Sequence, residues 1–393
     1  MAIAERLARI GPSATMAAGE RAERLRAQGV DVIDLGPGQP DFPTPAHIAV
    51  AGSQAIAEGQ TKYTPAAGIR ELREAVARRF TERYGVEYEA SETIITCGGK
   101  HALYSAFSAL LDAGDEVIVP TPYWVSYPDQ IRILGGKPVF VDAAETDGFV
   151  VRPEAVVGAC TDRSRAIVLN SPCNPTGAVL PAKVVEDLTA FAIDRELVVV
   201  YDECYEGFLY EDARHASPLE FGNKAKPSTV ICGSCSKTYA MTGWRIGYAV
   251  GPRSMIAAMS RLQSHLTSNP CSVSQWAALA AITGDQAAVG EMLSAFAERR
   301  ELVLGRFERM PGVGCTRPLG AFYVFPNVTE LLSEKIPTAD DLATHLIDEA
   351  HVVTVPGSAF GRDGYLRLSF AVALDRLQEA LDRLEETFAK LLH

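Results

Sequence analysis

The sequence predicts an α/β protein, with a mostly parallel central sheet in a large domain and a smaller α+β domain beside it. Three observations lead there. Short β-branched runs alternate with helix-length segments through the middle of the chain. Several of those runs end in turns rich in Gly, Pro and Ser. The final third changes character, with a long charged helical stretch and few strand-like runs. Alternation of this kind builds a parallel sheet with helices on both faces.

Residues 93–97, 116–120, 138–141, 166–170, 197–201 and 229–232 read as buried strands, since apolar runs of this length suit strands covered on both sides. Residues 100–111 and 181–195 read as helices between them. Ahead of the sheet, residues 14–28 read as a helix that ends at Gly29 and leads into a run at 30–35. Behind it come a helix at about 286–309, runs at 320–325 and 365–370, and a last helix at 374–392. The expected division is a large domain at 45–285 and a discontinuous small domain made of 1–44 and 286–393.

Composition narrows the function. The chain has 393 residues, 47% hydrophobic and 22% charged, as folded proteins do. Its net charge of −12 argues against general affinity for nucleic acid or an anionic membrane. No apolar run approaches the ~20 residues of a membrane span. Glu5, Arg6 and Arg9 stand where a signal peptide would be apolar. The chain therefore reads as cytoplasmic, with its eight cysteines as reduced thiols. Cys232 and Cys235 have C-x-x-C spacing, but no second pair completes a zinc site, and no metal is expected.

In a parallel sheet, ligands bind beyond the carboxyl ends of the strands, and five successive strand ends carry chemistry. Gly98, Gly99 and Lys100 lead into a helix, where backbone N–H groups can face an anion. Trp124 follows the next strand and could cover a planar ligand. Asn174 lies in a loop fixed by Pro172, Pro175 and Gly177. Asp202 ends a buried run, with Tyr205 just beyond. A buried carboxylate there calls for a cationic partner, or else caps a helix. Ser234, Lys237 and Arg245 come last. A poorly solvated lysine can be held neutral and form a Schiff base with an aldehyde. Each feature alone has a plainer reading, Lys237 as a surface loop residue and Gly-Gly-Lys as a tight turn. Together they supply every part of a pyridoxal phosphate site: aldehyde partner, pyridinium partner, ring-oxygen donors, stacking aromatic and phosphate cup.

At this point the chain resembles the class I pyridoxal-phosphate aminotransferases of fold type I. The likeness runs from Leu35-Gly36-Pro37-Gly38-Gln39-Pro40-Asp41-Phe42 to Tyr365-Leu366-Arg367-Leu368-Ser369. The spacings agree as well: Asn174 and Asp202 are 28 residues apart, and Lys237 and Arg245 are 8 apart. The resemblance implies pyridoxal 5'-phosphate as cofactor, held by Lys237, with Asp202 on the ring nitrogen and Asn174 and Tyr205 on the ring oxygen. Trp124 would stack on the ring. Ser234, Arg245 and the Gly98-Gly99-Lys100 turn would take the phosphate. Lys237, Asp202 and Tyr205 would be the catalytic residues. Arg367 would clamp the substrate carboxylate, with the Gly38 backbone facing it and with Trp124 and Asn174 beside it. Tyr63 would reach the phosphate of a neighbouring subunit, which implies a homodimer with shared sites.

The substrates implied are an amino acid and a 2-oxo acid in ping-pong exchange. The stretch 264–269 lacks the arginine that many aspartate aminotransferases present to the distal carboxylate. Lys100 instead stands where a bacterial aspartate subgroup, some of whose members accept prephenate, places a lysine. Ser13 and Thr15 resemble that subgroup's contacts across subunits. Aspartate with 2-oxoglutarate is therefore the favoured pair, and an aromatic amino acid or prephenate is the alternative. A β-lyase on the same cofactor stays open and would release pyruvate and ammonia. A DNA-binding sensor is disfavoured, because the N-terminus has no room for a winged helix.

Overall fold

The computed structural model describes residues 4–11 and 14–392. β1 (Ile33–Asp34) follows the helix Ala14–Ala27. The large sheet contains β2 (Thr93–Thr96), β3 (Glu116–Thr121), β4 (Lys137–Asp142), β5 (Ser164–Asn170), β6 (Val198–Asp202), β7 (Thr229–Ser234) and β8 (Gly247–Val250). β9 (Tyr323–Val324), β10 (Val352–Val353), β11 (Val355–Pro356) and β12 (Leu366–Ser369) follow.

The large sheet has the order β2-β8-β7-β6-β5-β3-β4. β8 runs antiparallel to both neighbours, and the other pairings are parallel. Period-2 alternation splits its side chains between two cores. Ile95, Ile118, Ile167, Val199 and Ile231 join one cluster with Val185 and Leu188 of the helix Ala182–Asp194. Ile94, Val117, Val168, Val200 and Val230 join another with Leu103 and Phe107 of the helix Gly99–Leu110. Helices thus cover both faces, which is why the strands are apolar throughout.

Register aligns the strand ends. Asn170 stands opposite Asp202, and Asp202 opposite Cys232. Strand order reverses between β3 and β5, so a crevice opens at the carboxyl ends there.

The C-terminal third adds a sheet of order β11-β12-β9 and a third core around Phe296, Tyr323, Leu366 and Phe388. Leu35, Tyr205 and Phe208 pack into that core. β1 pairs in parallel with β10, tying the N-terminal segment to this region.

The sequence reading differs from the structure in a few places. β8 was not expected as a strand, since its Gly and Ala have weak strand preference and pairing on both edges holds it in place. The runs at 30–35 and 320–325 shrink to the two-residue strands β1 and β9. Among the described residues no helix is long and apolar enough to cross a membrane.

Candidate active site

A cavity of about 420 Å³ opens at the carboxyl ends of β5, β6 and β7. Gly38, Gly99, Lys100, Trp124, Asn174, Asp202, Tyr205, Ser234, Lys237, Arg245 and Arg367 all line it. Gly98 adjoins it as the N-cap of the helix Gly99–Leu110. Tyr63 does not line it and is 89% exposed. Ser13 lies outside the described residues, as does the side chain of Thr15.

Lys237 rides on a four-residue helix, Cys235–Thr238, capped by Ser234. The Ser234 hydroxyl accepts the Ser236 N–H at 3.0 Å, fixing the turn. The Lys237 amine donates to the Gly38 carbonyl. Burial, with the Arg245 and Arg367 charges adding to it, lowers this amine to about 8. That lowering enlarges the neutral fraction that a nucleophilic amine or a proton carrier needs.

Asp202 closes the inner end and is only 5% exposed. Tyr127 Oη donates to its Oδ2 at 2.6 Å, and the Cys204 N–H donates to its Oδ1 at 3.0 Å. Burial raises its pKa, and those two bonds act against the rise. Among the described residues no cation pairs with it.

Arg367, 3% exposed, sits across the cavity. It donates from Nη1 to Asn174 Oδ1 at 3.0 Å and from Nη2 to the Gly36 carbonyl. Its Nε has no partner among the described residues. Its guanidinium lies 4.6 Å from the Tyr323 ring centroid and 4.9 Å from that of Phe360. No carboxylate pairs with it among the described residues, and burial lowers its pKa.

The backbone is pressed close where an anion would sit. Gly98 has φ +85°, and a Cβ there would come within 2.5 Å of Arg245 Nη2. A Cβ on Gly99 would meet Cys204 Sγ at 2.9 Å. Arg245 itself holds φ 55°, at a cost of about 1–2 kcal/mol for a residue with a Cβ. Its Nη1 bond to the Thr242 carbonyl at 2.9 Å helps hold it there. The result is a glycine-lined helix N-terminus facing a guanidinium.

Asn174 is buried, and its Oδ1 is taken by Arg367. Its Nδ2 has no protein partner among the described residues. Tyr205 Oη and Tyr323 Oη share a hydrogen bond of 2.8 Å. Lys100 Nζ lies 5.0 Å from the Trp124 ring centroid, and burial, then the Arg245 charge, lowers its pKa.

The sequence reading missed Tyr127, Tyr323, Cys204, Asn170 and Ser236, all at or against this cavity. Tyr127 sat in view, three residues after Trp124. Tyr323 lay inside an apolar run and read as core, because nothing local distinguishes a buried tyrosine that packs from one that also presents its hydroxyl.

The sequence matches the family profile for aminotransferase class I and II over residues 30–384. It is 46% identical over 385 residues to an aspartate aminotransferase of Geobacillus stearothermophilus, covering 98% of each chain. It is 44% identical to an aspartate/prephenate aminotransferase of Thermus thermophilus, covering 99% of this chain and 98% of that one. Among solved structures it resembles the Thermus thermophilus aspartate aminotransferase with maleate at TM-score 0.94 and 43% identity, covering 98% of this chain and 99% of that chain. It also resembles the Rhizobium meliloti aspartate aminotransferase at TM-score 0.95 and 39% identity, covering 99% of both. A fold type I α/β chain with this cavity and these relatives is an aminotransferase and belongs to the class I and II aminotransferase family.

Proposed function

We propose that this aminotransferase uses pyridoxal 5'-phosphate, works as a homodimer, and moves the amino group of L-aspartate to 2-oxoglutarate. The observation that carries the reading is a buried carboxylate without a cation and a buried guanidinium without an anion among the described residues, both lining one cavity that Lys237 also lines. Buried charges are costly unless paired. The cofactor and its substrate would complete both pairs.

The residues fit the group. A pyridinium N–H would give Asp202 its missing partner. The Gly98–Gly99 helix N-terminus, Ser234 and Arg245 suit a phosphate. Trp124 would cover the ring face, and Asn174 Nδ2 and Tyr205 would donate to the ring oxygen. Pyridoxal phosphate supplies an aldehyde that takes up the amino group and a cationic ring that draws electrons from the substrate Cα. Asp202 would keep the ring nitrogen protonated. Arg367 would grip the α-carboxylate, with the Gly38 backbone beside it. Lys237, released from the aldehyde by substrate, would take the Cα proton and return it one carbon away. The division into 45–285 and 1–44 with 286–393 belongs to the same proposal, and the β1–β10 pairing supports it.

Lys100 supports an acidic substrate. It lines the cavity and has no carboxylate partner among the described residues. The Thermus neighbour was solved with maleate, a dicarboxylate. A charge-assisted contact is worth about 1.5–3 kcal/mol, or roughly ten- to over a hundredfold. Lys100→Ala should therefore lower kcat/KM for aspartate relative to phenylalanine by that factor. Equal losses on both substrates would assign Lys100 to the cofactor phosphate. An unchanged ratio would move the aromatic or prephenate reading ahead; the name of the Thermus relative includes prephenate beside aspartate.

The dimer rests on Tyr63, which is exposed and away from its own cavity. Tyr63→Ala and Lys237→Ala chains should each be inactive alone. Mixed after unfolding and refolding, they should regain up to about a quarter of wild-type activity, since half of random dimers carry one intact site. No recovery would count against shared sites.

A further inference from the structure

Tyr323 is fully buried, lines the cavity and has no part in the scheme above. It belongs to β9 of the C-terminal sheet, whereas Tyr205 follows β6 of the large sheet. Their hydroxyls meet at 2.8 Å. Their rings pack edge-to-face, with centroids 5.6 Å apart. The other face of the problem is the substrate clamp: the Arg367 guanidinium lies over the Tyr323 ring. A third contact is Gly38, where a Cβ would collide with the Tyr323 hydroxyl. One side chain thus touches the expected ring-oxygen donor, the expected carboxylate clamp and the glycine beside it.

We infer that Tyr323 is a positioning residue with two separable parts: its hydroxyl sets Tyr205 toward the cofactor ring oxygen, and its ring is the platform that aims Arg367. The inference rests on the pyridoxal phosphate reading above. A tyrosine hydroxyl carries one proton and two lone pairs. If Tyr205 gives its proton to the ring oxygen, its own oxygen is free to accept from Tyr323. The proton order is then Tyr323 to Tyr205 to ring oxygen, and bonds in such a chain strengthen one another. The ring acts differently. Arg367 has no anion while the clamp is empty, and an aromatic face on a desolvated guanidinium offsets part of that burial. It also fixes the plane in which the fork meets a carboxylate.

Two variants divide the parts. Tyr323→Phe removes the hydroxyl and keeps the platform. Tyr323→Leu removes both. The readouts are pyridoxal phosphate dissociation, the absorbance maximum of the bound cofactor, and maleate affinity. For Tyr323→Phe we expect roughly three- to tenfold weaker cofactor retention, the size of one lost hydrogen bond. The absorbance maximum should shift in the direction given by Tyr205→Phe, and maleate affinity should stay unchanged. In a Tyr205→Phe background, Tyr323→Phe should change nothing further. Tyr323→Leu should in addition weaken maleate roughly three- to thirtyfold. Additive effects of Tyr323→Phe and Tyr205→Phe, or equal loss of maleate in the Phe and Leu variants, would overturn the inference. Wild-type protein that takes up no pyridoxal phosphate would overturn the underlying reading, and this one with it.

Discussion

Lys237→Ala should abolish turnover, by roughly four orders of magnitude or more, while leaving the chain folded. General base catalysis alone accounts for ~10²–10⁴, and the same amine is the proposed anchor of the cofactor. The fold should survive because among the described residues the amine's one hydrogen-bond partner is the Gly38 carbonyl. Burial makes the charged amine a burden on the folded chain, which is why it titrates near 8. The sign of the stability effect follows. Between about 8 and its unfolded value of 10.5 the unfolded chain binds the extra proton, so cofactor-free wild type gains stability as pH rises through that window. The alanine variant lacks this gain. It should be at least as stable as wild type below pH 8, with its advantage fading toward 10.5. Thermal unfolding of both cofactor-free proteins across that range measures it. Borohydride reduction of the loaded enzyme should fix the cofactor to a peptide containing Lys237. Label on another lysine would refute the assignment.

Asp202→Ala should lower kcat by roughly three orders of magnitude, comparable with or beyond the loss of one preorganised electrostatic group. Asp202→Asn should fall nearly as far, although it is almost the same shape. Its one amide oxygen could accept from either Tyr127 or the Cys204 N–H, which now bond different carboxylate oxygens, and neither that oxygen nor an NH₂ donor facing the ring nitrogen would hold the ring protonated as a carboxylate does. Both variants should retain weakened cofactor binding, because the phosphate cradle and Lys237 are untouched. Single-turnover rates with aspartate, beside a cofactor titration, separate the two effects. Near-normal turnover in Asp202→Ala would place the pyridinium partner elsewhere.

The residues that could be read from sequence are those whose chemistry is tied to a strand end. Gly98, Asn174, Asp202 and Ser234 sit one to four residues past or at the end of an apolar run. Fold class puts all such ends on one edge of the sheet, so local spacing becomes spatial proximity. Arg367 and Gly38 were found only through resemblance, because they enter the cavity from the C-terminal sheet and the N-terminal segment. Tyr127 and Tyr323 were not found at all. Each is a buried aromatic whose ring satisfies the packing, and only three-dimensional pairing shows that its hydroxyl faces Asp202 or Tyr205. β8 was missed for a related reason: its four residues are a strand only because β2 and β7 flank them.

That strand also dictates when the molecule can first hold its ligand. β8 separates β2 from β7, although about 150 residues of chain lie between β2 and β8. Until it inserts, Gly98 beyond β2 stands apart from Ser234 and Arg245, which share the short connection from β7 to β8. A Cβ at Gly247, the first residue of β8, would collide with the Gly98–Gly99 backbone, so the final seating is tight. Loops this long close slowly, and contacts so distant along the chain form late. The phosphate cradle therefore requires this long-range closure and is complete only once β2 has joined β8. A ligand that recognises only the closed cradle acts as a latch on the finished chain, adding stability in proportion to its saturation and doing little to hasten folding.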